Sequence, residues 1–311
     1  MYYLLSIRDE KMSKVKKEHT VPVSYLERFC IEDLPNIIYC YDKLINKEYT
    51  SNISDVAFRF YFYDIEQGDK QRIEKNFSKK EGKWRTAISS LIKKGDPKRM
   101  SSNQKNLIFE FVIAQLLRTV EKRNHLLEHF HHLYPKEELT LNQEEYDEFV
   151  NGFIDRGVRI AHSELIDNIL KYTSLISDYH MHLFINKTSI PLKVSDNPVN
   201  TYNLFKGKSE KINGLANDDI ELYIPLNPWL MLCIANPKTH EAEPRVNELT
   251  KEGVIERNRH QTRDCNRQIF SPMNDFQDEK LFLEKFPEFT NKNRIRRNIW
   301  NDEKIELIKY I

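Results

Sequence analysis

Three polar side chains that lie far apart in the sequence have the types and settings that acid–base chemistry on an anionic substrate requires. His19 stands between a lysine-rich segment and the start of a predicted helix, Arg118 ends an apolar helix, and Asp196 ends a predicted strand. A histidine can act as a general base, an arginine can stabilise developing negative charge, and a carboxylate can orient the histidine or bind a metal ion. In one pocket, the set would suit phosphodiester hydrolysis, with Mg²⁺ or Mn²⁺ as the metals to consider.

Arg118 has two interpretations that the sequence leaves open. The segment Asn103–Arg123 is apolar on nearly every side through Leu117, which predicts a helix buried in the core. Gln104, Gln115 and Arg118 project within about 60° of one another on that helix. A buried guanidinium must find an anion or several carbonyls, because an unpaired buried charge costs several kcal/mol. Arg118 is therefore either a structural clamp, which is the commoner arrangement, or a pocket wall that binds phosphate or carboxylate.

The histidine-rich segment His125–His132 is a weaker candidate site. His125 and His129 lie one helical turn apart with Glu128 beside them, a spacing that can chelate a divalent metal. No H-E-x-x-H or comparable second-ligand motif accompanies them, so a solvated helix end that the helix dipole stabilises is favoured. His180 and His182 share one face of a predicted strand, which is also weak evidence for a metal.

The charge balance leaves only local basic patches. There are 48 Lys and Arg against 47 Asp and Glu, so the whole chain lacks the basic excess typical of nucleic-acid-binding proteins. One patch is a stripe on a helix predicted over Glu252–Phe270, and the other is the C-terminal tail before Trp300. The stripe contains Arg259, His260, Arg263 and Arg267, and the tail contains Arg294, Arg296 and Arg297. They favour a second function: a non-catalytic module that binds a protein or nucleic acid, with His19 buried and hydrogen-bonded to backbone.

Several classes of protein are disfavoured. Glycine occurs only 8 times, and neither common phosphate-binding glycine motif is present. The four cysteines include no C-x-x-C pair, which indicates buried thiols in a reducing compartment. No apolar run reaches the roughly 18 residues that a membrane span requires. We therefore expect a cytoplasmic protein that does not enter a membrane. Residues 1–15 are expected to be an extension, with Met12 as an alternative start.

The pattern of the elements predicts an α+β fold, mainly helical, with a small N-terminal sheet and a later antiparallel sheet. Pro22 suits the first turn of a helix that follows His19. Apolar spacing over Glu144–Tyr179 predicts one long amphipathic helix with His162 on its polar face. Strand-like runs over Met181–Lys238 end at three Asn-Pro pairs, which mark strand ends because proline cannot donate to a ladder. The strand-like runs of the N-terminal sheet are Ile37–Lys43 and Ala57–Ile65, and the Asn-Pro pairs are Asn197-Pro198, Asn227-Pro228 and Asn236-Pro237.

Five ordered segments resemble an uncharacterised prokaryotic family of unknown function: HTVPVSYLERF, FEFVIAQLLRT, VSDNPV, PLNPWL and NRHQTRDCNRQIFS. The family is marked by His-x-x-Pro-x-x-x-Leu-x-x-Phe near its start and by a later Ser-Asp-Asn-Pro. The resemblance implies one continuous domain over residues 16–272, with residues 273–311 as a helical, basic tail that packs on it. It places seven residues at characteristic positions: His19, Pro22, Gln115, Arg118, Asp196, Asn197 and Pro198.

These observations predict a nuclease-like effector, of the kind used in toxin or defence systems. His19, Arg118 and Asp196 are the expected catalytic residues, and Gln115, Asn197, Arg259, Arg263 and Arg267 are the expected substrate-binding residues. Glu18-His19-Thr20-Val21-Pro22 also resembles the Asp-His-x-x-Pro opening of HNH nucleases, but only over five residues and without their strand–turn–helix context. A purely structural role for the recurring residues remains the third interpretation.

Overall fold

Helices dominate the middle of the chain, and strands lie before and after them in sequence. A computed structural model describes residues 17–64, 71–203, 215, 220–237 and 246–291, so the predicted extension and the tail arginines lie outside the described residues. The α-helices are α1 (Val23–Leu26), α2 (Arg72–Lys94), α3 (Ser102–Leu117), α4 (Val120–Leu133), α5 (Gln143–Phe149), α6 (Asp155–Asp167), α7 (Ile169–Ser174), α8 (Lys251–Asp264) and α9 (Gln277–Lys285). None of these described helices is long and apolar enough to cross a membrane.

The described strands form three sheets, which confirms the α+β prediction. They are β1 (Lys17–His19), β2 (Ile37–Asp42), β3 (Lys47–Asn52), β4 (Phe58–Phe60), β5 (His180–Asn186), β6 (Val194–Ser195), β7 (Asn200–Asn203), β8 (Ile220–Asn227), β9 (Leu230–Ala235), β10 (Val246–Leu249) and β11 (Gln268–Ser271). β1 and β4 form a small antiparallel ribbon. The other two sheets have the orders β3-β2-β11-β6 and β10-β5-β9-β8-β7. Within the last sheet, β10 is parallel to β5 and the remaining pairs are antiparallel.

Strand pairing joins distant parts of the chain. β2 pairs with β11 from Asp42↔Gln268 to Tyr39↔Ser271, and β11 also pairs with β6. The two strand-like runs predicted to form one small N-terminal sheet therefore separate, because β2 joins this four-stranded sheet while β4 pairs with β1. All three Asn-Pro pairs follow or end strands, as predicted: they come at the ends of β6, β8 and β9.

Helix α3 is buried on nearly every side, as its sequence predicts. Ser101 begins it with a capping box, in which the Ser101 side chain accepts from the Gln104 amide and the Gln104 side chain accepts from the Ser101 amide. Ile108, Val112 and Ile113 are fully buried in the main hydrophobic core. α3 packs against α2 and α7, so its C-terminal end lies deep inside the protein. Arg118 follows at that end.

The prediction of one continuous helix over Glu144–Tyr179 is wrong. The chain forms α5, a π-helical turn at Val150–Ile154, α6 and then α7. Gly157 lies within α6, and its lack of a side chain makes room for Phe130, because an added Cβ would lie 2.7 Å from Cε1 of that ring. His162 is fully buried rather than on a solvated face.

The predicted helix over Glu252–Phe270 is also too long. α8 ends at Asp264, and Cys265 has extended backbone angles, with φ −64° and ψ 150°. The next three amides turn towards the Asp196 carboxylate instead of continuing the helix. Arg267 therefore lies in the connection to β11 and not on the helical stripe, and Ile269 lies within β11.

We expect Lys193→Met to destabilise the fold by about 3 to 5 kcal/mol, because it leaves a buried carboxylate unpaired. The Lys193 Nζ and Glu279 Oε2 form an ion pair whose side chains are only 3% and 1% exposed. Chemical denaturation of the single variant and of Lys193→Met with Glu279→Leu would measure the effect. The double variant should recover most of the loss, and an equally unstable double variant would contradict this account.

Candidate functional site

The ribbon strand β1 presents the first family motif with its side chains on alternating faces. Glu18 is fully buried, whereas Lys17 and His19 are partly exposed. The pairing of β1 with β4 sets Glu18 opposite Arg59 and His19 opposite Phe58. Successive side chains of a strand point in opposite directions, so the Glu18 carboxylate and the His19 imidazole lie in different surroundings.

Both the ring and the backbone carbonyl of His19 form hydrogen bonds. The ring Nε2 lies 3.2 Å from the Ser54 carbonyl oxygen. The His19 carbonyl accepts hydrogen bonds from the Arg118 guanidinium and from the Tyr63 hydroxyl, the latter at 3.3 Å. Burial lowers the pKa of the imidazole, and the positive charge of Arg118 adds to that effect, although the bond to Ser54 opposes it.

Arg118 is a fully buried clamp. Its guanidinium binds Glu81 Oε1 at 2.9 Å, the Tyr63 hydroxyl at 3.4 Å and the His19 carbonyl, and its Cζ lies 4.0 Å from the centre of the Phe77 ring. Burial alone would lower its pKa, but Tyr63 and Glu81 outweigh burial and raise it. The contacts match the first interpretation of this residue, an ion pair combined with a carbonyl clamp.

Glu18 is a buried carboxyl that the sequence did not single out as a site residue. Its Oε2 accepts the Tyr63 backbone N–H at 2.6 Å, while Oε1 has no hydrogen-bond partner among the described residues. Burial raises its pKa from 4.5 to about 7, and the nearby carboxyls of Asp64 and Glu74 add to the shift. No sequence signal distinguishes Glu18, because β1 is polar at all three positions and only the folded strand shows that its middle residue is buried.

Arg123 and His162 extend this network on the far side of Tyr63. The Arg123 guanidinium stacks 3.7 Å from the centre of the Phe62 ring and lies 3.1 Å from Nδ1 of His162. The other ring nitrogen of His162 lies 2.8 Å from the Leu117 carbonyl oxygen. Burial, reinforced by Arg123, lowers the pKa of His162 to about 3, so the ring is neutral, donates to Leu117 and accepts from Arg123. We call Glu18, His19, Tyr63, Arg118 and Arg123 the N-terminal polar cluster.

A shallow surface depression lies beside the N-terminal polar cluster. Pro22 of the first motif and Glu81, the partner of Arg118, both line it, together with Arg28 and Arg85. Arg85 pairs with Glu27 at 2.8 Å, and Arg28 donates to the Ser24 carbonyl at 2.9 Å. Glu81 thus links the buried guanidinium to the protein surface.

Asp196 belongs to a different hydrogen-bond network. Its Oδ1 accepts the Asn266 N–H at 2.8 Å, and its Oδ2 accepts the Arg267 and Gln268 N–H groups at 2.9 and 3.0 Å. Burial raises its pKa, and these amides together with Lys43 and Arg59 oppose that shift. The carboxylate therefore holds the connection between α8 and β11, and its hydrogen bonds reach neither His19 nor Arg118.

The other residues of the Ser-Asp-Asn-Pro motif fasten β6 to α8. The Asn197 side chain donates to the Asp264 carbonyl at 3.1 Å. The Pro198 carbonyl accepts from Gln261, which is also bound by the Ser195 hydroxyl at 2.7 Å. These contacts assign the motif a structural task in this fold.

Each arginine predicted to bind substrate on α8 is paired with an aspartate. Arg259 binds both oxygens of Asp278 at 2.9 and 2.7 Å, and Arg263 binds both oxygens of Asp264 at 2.6 and 2.8 Å. Arg267, outside the helix, pairs with the buried Asp42. The predicted basic stripe is therefore largely neutralised.

Gln115 is unlike the other recurring residues. It is fully buried in α3, and neither its Nε2 nor its Oε1 has a hydrogen-bond partner. Buried unsatisfied amide atoms cost about 1–3 kcal/mol each. The expected role of Gln115 in substrate binding stays a prediction.

The histidine pairs do not assemble into a larger ligand set in the described part of the chain. His125 Nε2 lies 4.0 Å from Glu121, and the rings of His180 and His182 are 6.4 Å apart. Over the described residues, no group of three or more His, Cys, Asp or Glu side chains is arranged to hold a metal ion.

Comparison with known families gives one match. The model of a family described as a protein of unknown function, DUF4238, covers residues 17–275. It spans both motifs, the helical middle and the sheet that follows. No curated protein and no solved structure matches the chain.

Asp196→Asn should destabilise the protein by about 2 to 4 kcal/mol. The asparagine side chain has one oxygen in place of two, and its NH₂ group would face backbone N–H groups that need an acceptor. Thermal and urea unfolding would measure this loss. Asp278→Asn is the matched control, since it breaks a partly exposed pair that is worth under about 1 kcal/mol. A wild-type stability for Asp196→Asn would contradict the structural role.

Glu18→Gln should become increasingly stabilising relative to the wild type as the pH rises from 4.5 to about 7. The folded-state pKa of Glu18 is raised, so the folded protein holds this proton more tightly than the unfolded chain and loses stability across that window. Urea unfolding at several pH values would give the difference between the two proteins. Parallel stability profiles would contradict the raised pKa.

Proposed function

The chain belongs to the DUF4238 family, and we propose that it is a phosphodiester-cleaving enzyme in which Glu18, rather than His19, is the general base. The observation that carries the proposal is the state of the Glu18 carboxyl. It is buried, one oxygen is fixed by the Tyr63 N–H, the other oxygen has no partner in the described part of the chain, and its pKa is about 7. A carboxyl with these properties is suited to exchange protons near neutral pH.

The arginines would supply the electrostatic part of the reaction. Burial lowers the pKa of Arg123 to about 10, yet the group remains charged at neutral pH and interacts with Glu18. The nucleophilic water would lose a proton to Glu18 as its oxygen bonds to phosphorus. The bond to the leaving oxygen would break, and that oxygen would take a proton from solvent. Arg123 would stabilise the negative charge on the phosphoryl oxygens.

In this proposal His19 and Arg118 act as positioning residues. Arg118 binds the His19 carbonyl, which keeps β1, and therefore Glu18, in place. The His19 side chain lies on the opposite face of the strand. Its removal would leave the carbonyl and the position of Glu18 intact.

One observation favours the second function, a non-catalytic binding module. That interpretation expects His19 to be buried and hydrogen-bonded to backbone; the residue is partly exposed, and its ring Nε2 lies 3.2 Å from the Ser54 carbonyl oxygen. Its proposed contact surface is weakened by the aspartates that pair with Arg259 and Arg263.

We expect the wild-type protein to cleave labelled DNA or RNA, and Glu18→Gln to lower kcat/KM by about 100-fold or more, the usual contribution of a general base. His19→Ala should retain activity within a few-fold. Assays would include EDTA, Mg²⁺ and Mn²⁺ arms, and kcat/KM should rise with pH through a midpoint near the pKa of about 7.

The wild type and the two variants together separate the alternatives. Loss of cleavage in His19→Ala but not in Glu18→Gln would return the base to His19. Equal cleavage by all three proteins would remove both residues from the mechanism. Cleavage by none, with the proteins folded, would reject the enzyme and leave the binding module.

A further inference from the structure

Arg257 is a cation of α8 that differs from its neighbours on the helix. Its Cζ lies 3.9 Å from the centre of the Tyr223 ring, and the side chain is partly buried. Arg259 and Arg263 each bind an aspartate, whereas Arg257 has no hydrogen bond or ion pair with any part of the described chain. A stacked guanidinium keeps its in-plane N–H donors available for an anion.

An aromatic pair stands next to Arg257. His260 follows it by three residues, so the two side chains share one helix face. The His260 ring stacks on Tyr202 of β7, with centroids 6.1 Å apart and planes inclined by 24°. Tyr202 is 37% exposed, an unusual value for a large ring whose neighbours in the sheet are buried. The pair offers a flat surface to a planar ligand.

The strand register brings these groups to one end of the five-stranded sheet. Asn200 pairs with Tyr223, and Tyr202 pairs with Glu221, so all four side chains lie on the face that α8 covers. Asn200 donates to Asp264 at 2.9 Å, and Tyr223 donates to Glu221 at 2.6 Å. These bonds fix the surroundings of Arg257 and the aromatic pair.

His260 adds no positive charge to this face of α8. Burial lowers the pKa of His260 to about 4, and the charges of Arg263 and Arg257 lower it further, against the opposing effects of Asp264 and Glu256. The His260 ring is therefore neutral at neutral pH and stacks without a charge of its own. Arg257 therefore carries the positive charge beside the aromatic pair, and no described residue forms an ion pair with it.

We propose that Arg257, His260 and Tyr202 form a nucleotide-binding site, in which a base stacks on Tyr202 and a phosphate binds Arg257. Aromatic side chains beside arginine are a common way to bind nucleotides without reading their sequence. The base and phosphate can come from a free nucleotide or from single-stranded nucleic acid. The site goes beyond the proposed cleavage, since it lies on α8 and β7 and requires no chemistry.

Binding would be measured on the Glu18→Gln background, so that cleavage plays no part. The probes are AMP, tested by calorimetry, and short fluorescein-labelled single strands of DNA and RNA, tested by anisotropy. Arg257→Gln should weaken binding about 10-fold or more, and Tyr202→Ala should weaken it about 5- to 100-fold, because stacking contributes about 1–3 kcal/mol per base. Tyr202→Phe and Arg257→Lys should each retain much of the affinity, and circular dichroism would verify that every variant is folded.

Arg259→Gln is the matched control, because it removes one positive charge from the same helix at a position paired with Asp278. It should change binding by less than about 2-fold in moderate salt. Binding of AMP alone would identify free nucleotide as the ligand, and binding of strands alone would identify nucleic acid; either supports the site. The proposal is overturned if no probe binds at millimolar concentration, if Arg257→Gln binds like wild type, or if Arg259→Gln loses as much as Arg257→Gln. Loss in Arg257→Gln without loss in Tyr202→Ala would also overturn it, as that result describes a phosphate contact without a base.

Discussion

Arg118 carries a charge that must be neutralised where no water reaches it, and the arrangement around the N-terminal motif follows from that need. Its guanidinium takes one carboxylate, one hydroxyl and one carbonyl from three different segments: Glu81 on α2, Tyr63 after β4, and His19 on β1. Removing such a partner would leave a buried charge uncompensated, which costs several kcal/mol. The clamp therefore fixes β1 against the helices and determines on which side of the strand Glu18 is buried.

The second motif buries a charge of the opposite sign. Asp196 brings a negative charge into the interior, and backbone amides rather than a cation satisfy most of it. Because those amides belong to the residues just after α8, the carboxylate also ends that helix. The two motifs thus position different elements: one holds the ribbon against the helical middle, and the other holds α8 against the four-stranded sheet.

The polar residues of the two motifs have structural roles that their residue types alone do not indicate. Arg118 and Asp196 both satisfy the usual description of catalytic side chains, yet their hydrogen bonds are used within the fold. Two described groups keep unused hydrogen-bonding atoms in settings that suit chemistry: Glu18, whose carboxyl is half satisfied, and Arg257, whose guanidinium is stacked and has no described ion-pair partner. Chemical capacity depends on which lone pairs and donors the fold leaves unused, and residue type alone does not reveal this.

Local patterns in the sequence determined a good part of the molecule. The apolar stretch before Arg118 predicts a core helix, since no other placement hides all its sides, and the Asn-Pro pairs mark strand ends because proline cannot donate to a ladder. Only the tertiary structure decided where α8 stops, how the predicted long helix divides, and which partners each charge meets. Several of those outcomes depend on contacts between residues far apart in the sequence, such as Asp196 with Gln268 or Glu18 with Tyr63. A sequence pattern can indicate that a charge will be buried and must be paired. Which group pairs with it depends on how the whole chain packs.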